Sequence, residues 1–126
     1  MFEILQDQSY HLFADQRALF GVPNFSNVVS NLAIAVAGPY GLRAVQRAHW
    51  LRPQDSAPWT VTAWCAPAIA AGSAFYHLQP NDATLFWDRA PMSIAFMAIF
   101  TALLNEFYGL RHVRLMCMGL AALGLG

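Results

Sequence analysis

Four apolar stretches separated by short polar links leave this chain few ways to fold. They lie near 24–42, 59–78, 91–108 and 113–126. About 20 apolar residues cross a hydrocarbon core of roughly 30 Å as an α-helix, and the first three stretches approach that length. In lipid a spanning segment must satisfy its own backbone polar groups, which favours helices. The composition agrees. The chain is 57% hydrophobic and 11% charged, against roughly 25% charged in a soluble domain. A chain of 126 residues has a high surface-to-volume ratio and in water would need more charge. The expected fold is therefore all-α: a helical membrane bundle with residues 1–126 as one membrane domain and 1–23 as an N-terminal segment.

Flanking residues fit this reading. Trp59, Trp64 and Tyr76 lie toward the ends of the second stretch, where amphipathic rings favour the interface. Pro91 follows Asp88 and Arg89 and suits the first turn of a helix. Pro39 and Pro67 fall inside spans, which membrane helices tolerate when neighbours satisfy the freed carbonyl. Residues 52–58, with two prolines, read as a loop. Arg43, Arg47 and Arg52 follow the first stretch and Arg111 and Arg114 the third, whereas the N-terminal segment holds only Arg17 and the second link only Arg89. The positive-inside rule then places the first and third loops in the cytoplasm and the N-terminus outside.

Several classes fall away. A net charge of zero gives no electrostatic basis for nucleic-acid binding. Cys65 and Cys117 match no zinc or redox spacing and read as buried small hydrophobes. The start of the chain lacks the basic and apolar regions of a signal peptide. Only twelve residues remain from Leu115 to Gly126, too few to span, so further spans in a longer chain are expected.

Polar groups inside spans are costly and tend to mark function. Ser73 and His77 are four apart and share a helix face, and Asp88 follows eleven residues after His77. With the second and third spans antiparallel, all three reach the outer boundary together. Neutral imidazole is a good zinc ligand. A carboxylate nearby can hold or deprotonate a water that the metal activates. Plainer readings exist for each: an interfacial histidine, a small residue for helix packing, and an N-cap aspartate. One histidine does not make a zinc site, which needs about two further protein ligands. His11 and His49 lie in polar flanks and read as surface residues, and His112 falls on the opposite side.

The run Gly72-Ser73-Ala74-Phe75-Tyr76-His77 and the later Trp87-Asp88-Arg89-Ala90-Pro91-Met92 resemble the signature of the alkaline ceramidases and their bacterial relatives. That family belongs to a wider superfamily of seven-span hydrolases that includes the adiponectin receptors. Asn24-Phe25-Ser26-Asn27-Val28-Val29-Ser30-Asn31-Leu32 is similar to the family's entry to its first span. The resemblance implies a zinc-dependent hydrolase of lipid amide bonds, with His77 as a metal ligand, Ser73 lining the site and Asp88 acting on the water. It implies a ceramide-like substrate, released as fatty acid and sphingoid base, and a further H-x-x-x-H that residues 1–126 do not contain. These residues alone are therefore expected to be inactive. Animal members carry an acidic calcium loop. Here only Asp15 and Asn24 stand in that region, and calcium takes six or more oxygens, so calcium is the weaker expectation. Arg89 and Ala90 resemble bacterial members, which widens the substrate to other long-chain amides or esters. The alternative is a non-catalytic, receptor-like or scaffolding membrane protein of the same superfamily. A small transporter or channel fits less well, because the polar groups cluster at one depth.

Overall fold

The structure, a computed structural model, describes residues 7–125. Four helices follow in order: α1 (Phe25–Arg47), α2 (Ala57–Leu78), α3 (Asp82–Tyr108) and α4 (Val113–Leu123). No strand forms among the described residues. Helix α2 packs against both α1 and α3, while α4 lies mainly on α3. Three residues join α2 to α3, and so short a link makes the pair antiparallel neighbours.

Local chemistry sets the boundaries. Pro58 stands in the first turn of α2, where its missing N–H costs nothing. Asn81 starts α3 with a reciprocal cap. Its Oδ1 accepts from the Thr84 N–H at 3.0 Å, and the Thr84 hydroxyl accepts from the Asn81 N–H at 3.2 Å. This cap corrects the expected start of the third apolar helix, which begins at Asp82 and not near 91. Pro91 is consequently interior, and Asp88 lies in the second turn of α3. At the other end, Arg52 donates to Asn105 Oδ1 at 2.9 Å and to the Leu110 carbonyl at 3.1 Å. It also pairs with Asp55 at 2.9 Å, tying the α1–α2 link to the end of α3.

Interior prolines organise both interfaces of α2. A proline leaves the carbonyl four residues earlier without its helical N–H partner. Pro67 frees Ala63, and Gly38 of α1 lies so close that a Cβ there would stand 2.9 Å from the Ala63 oxygen. Pro91 frees Trp87, and a Cβ on Gly72 would stand 2.0 Å from the Trp87 oxygen. In each case a glycine of the neighbouring helix sits against the freed carbonyl, a close backbone approach that the missing Cβ permits.

Helices α1 and α3 are long and apolar enough to cross a membrane. Within those apolar windows only 11% of α1 and 22% of α3 is buried. Core helices of soluble proteins bury their apolar face, so these two need another apolar partner. Phe96, Phe100, Leu103 and Phe107 of α3 are all exposed. Helix α2 matches their length but falls short of their hydropathy, because prolines, threonines and tryptophans interrupt its first half and glycine, serine, tyrosine and histidine fall in its last two turns. Helix α4, with 11 residues, is too short to span.

Candidate functional site

The site lies where the end of α2 meets the start of α3. Gly72 presses on the backbone of Trp87 and Asp88; a Cβ there would lie 3.2 Å from the Asp88 nitrogen. This contact brings Asp88 level with the last two turns of α2. Ser73, next to Gly72, is buried, and His77 lies one turn further on the same face. The His77 imidazole and the Asp88 carboxylate are electrostatic neighbours, yet no hydrogen bond joins them.

Two atoms stand out. Among the described residues, His77 Nδ1 and Asp88 Oδ1 are the buried side-chain polar atoms without a hydrogen-bond partner. An unmade hydrogen bond at a buried polar group costs about 1–3 kcal/mol. The two groups stand on neighbouring helices, are of complementary chemistry and interact electrostatically, which makes the pair the candidate site. The N-cap reading of Asp88 does not hold, since Asn81 caps α3. The interfacial reading of His77 fits poorly with a ring nitrogen turned inward.

Compared with family models, curated proteins and solved structures, the chain matches none. The resemblance to alkaline ceramidases therefore rests on the motif residues of α1, α2 and α3.

The remaining candidates are engaged elsewhere. Asp15 accepts from Arg17 Nε at 2.8 Å and Nη2 at 2.9 Å. The Arg17 hydrogen bonds hold its carboxyl well below the usual range. Asn24, with a left-handed backbone at φ 48°, donates its Nδ2 to the His77 carbonyl at 2.8 Å. Asp15 and Asn24 thus both make structural contacts, one to Arg17 and the other to α2. Among the described residues no three His, Cys, Asp or Glu side chains converge as a metal cluster. His112 precedes α4, at the end of α3 away from His77.

His11 departs from expectation. It is buried, not on the surface. Its Nε2 lies 3.0 Å from Asp82 Oδ1 and its Nδ1 2.9 Å from the Tyr76 hydroxyl. A carboxylate only accepts, so in the neutral ring Nε2 carries the proton and Nδ1 accepts from Tyr76. The partners stand 65 and 71 residues away, and no local spacing signals such a pairing.

Proposed function

We propose that this protein is a multi-pass membrane hydrolase that cleaves a lipid amide bond with a zinc ion held at His77. The observation that carries this reading is the pair of unpartnered buried atoms, His77 Nδ1 and Asp88 Oδ1, at the motif positions that resemble the alkaline ceramidase signature. In this reading α2 crosses the bilayer with α1 and α3, and the N-terminus lies outside. An apolar groove of about 360 Å³ between α1 and α2, lined by Val28, Leu32, Ala35, Ala70 and Ala74, supports an acyl-chain substrate.

The donor set fits part of a zinc shell: one imidazole, with a carboxylate and a hydroxyl beside it. The rest must come from outside the described residues or from a second chain, because zinc takes about three protein ligands in a catalytic site. A bound zinc ion would supply the Lewis acidity that polarises the amide carbonyl. Asp88 Oδ1 would accept a proton from the attacking water and later return it to the departing amine. The Ser73 hydroxyl would donate a hydrogen bond within the site. The tight Gly72 contact keeps Asp88 at the depth of Ser73 and His77.

The test is metal content and turnover in the intact membrane protein, with an N-acyl long-chain amine as substrate. Wild type is expected to hold one zinc per chain and to release fatty acid. His77→Ala is expected to lose both, and Asp88→Ala to lose turnover by roughly 10²-fold or more. A zinc-free wild type, or full turnover in both variants, overturns the proposal. A non-catalytic member of the same superfamily is the second reading, favoured by the lack of a converged ligand cluster among the described residues; there His77→Ala lowers stability with no turnover to lose.

A further inference from the structure

We infer that residues 7–24 form a strap across the mouth of the His77–Asp88 site, with His11 as its latch and Phe13 as the residue that positions the His77 ring. The inference takes that pair as the site of the proposed function, but its physical content is separate: access to His77 is controlled by a segment far away in sequence.

Clasps hold the strap along its length. Tyr10 meets α3 through Arg89, which donates to the Tyr10 hydroxyl and stands 5.3 Å from the ring centroid. His11 bridges α2 and α3 by its bonds to Tyr76 and Asp82. Phe13 lies edge-on to His77 at 4.6 Å and to Tyr76 at 5.5 Å between ring centroids. Asn24 grips the His77 carbonyl, and the Asp15 carbonyl accepts from Asn27 of α1 at 3.2 Å. The contacts on the α2–α3 corner fall within one turn of His77 or within the first two turns of α3. A segment serving only as an entry to α1 would not need to cross to that corner.

The arrangement assigns separate tasks. His11 is buried and makes two side-chain hydrogen bonds to different helices, so its loss releases the segment from both. Phe13 makes no polar contact; its ring covers the imidazole and restricts its rotation. Both are positioning residues that act through His77.

Carbethoxylation of His77 by diethyl pyrocarbonate, read by peptide mass spectrometry on the detergent-purified chain, tests this without reference to zinc or turnover. Losing the latch removes hydrogen bonds worth about one factor of ten in local opening, so His11→Ala is expected to raise the His77 modification rate about tenfold. Phe13→Ala is expected to raise it as well while His11 stays protected, and Phe13→Tyr to restore protection. His49, exposed in the α1–α2 link, serves as the internal standard and should not change. Unchanged His77 reactivity in both alanine variants, or an equal rise at every histidine from general unfolding in both, overturns the strap. A strap that fails leaves the zinc content of wild type untouched, and a zinc-free wild type leaves the strap standing.

Discussion

Replacing Gly72 by alanine adds one methyl group at the tightest point of the α2–α3 interface. That carbon would lie 2.0 Å from the Trp87 oxygen and 2.7 Å from its carbonyl carbon. Ordinary contact starts at 3.4 Å, so the helices must part by about 1.4 Å, the difference between those distances. No side chain can rotate away, because both offending atoms are backbone. Overpacking costs typically about 1–3 kcal/mol, and a gap near 1 Å forfeits a quarter to a half of each contact well along the interface. The expected loss is therefore near the upper end, about 3 kcal/mol, from a total of roughly 5–15 kcal/mol. Denaturant unfolding in detergent micelles, followed by tryptophan fluorescence, would read it as a lower midpoint. Gly119→Ala is the control: nothing lies within 4 Å of a Cβ there, and the better helix former should hold or gain up to about 1 kcal/mol. A Gly72→Ala chain that unfolds at the wild-type midpoint would refute the close approach that places Asp88.

Other outcomes follow from the same geometry. Asn81→Ala removes the reciprocal cap on α3 and should cost about 1 kcal/mol, with faster amide exchange confined to the first turn. Burial raises the Asp55 carboxyl, but hydrogen bonds from Arg52 and Asn105 outweigh it and leave the group below its ordinary value. A depressed carboxyl stabilises the fold above the unfolded value and loses that contribution as pH falls through the folded one. Stability should thus drop below about pH 4, and Arg52→Ala should flatten that drop in an acid titration followed by circular dichroism. Asp15→Asn, which weakens its grip on Arg17, should leave bound calcium unchanged in a calcium-45 assay, because Asp15 serves an ion pair.

The apolar stretches announced the helices, since length and hydropathy are local properties of the chain. The start of α3 was less legible. Asp82, Asp88 and Arg89 made the segment before Pro91 look like a loop, whereas the Asn81–Thr84 cap and packing against α2 make it helical. Pro91 follows a charged pair as a first-turn residue would, yet it is interior because the Asn81 cap starts α3 at Asp82, and Gly72 of the neighbouring helix sits against the carbonyl it frees. Ser73 and His77 were placed on one face by their four-residue spacing. The approach of Asp88 depends on Gly72, whose role shows only once two helices are packed. His11 was unreadable as a buried bridge, because its partners come from two distant helices and nothing near it signals them.

A double-mutant cycle on His77 and Asp88 tests the shared site most directly. His77→Ala, Asp88→Ala and the pair would be unfolded under identical conditions. Residues that face each other in one buried pocket should couple by about 1 kcal/mol or more. Additivity within about 0.3–0.5 kcal/mol would mean that the imidazole and the carboxylate occupy separate surroundings, and the account of one site at the α2–α3 junction would be wrong.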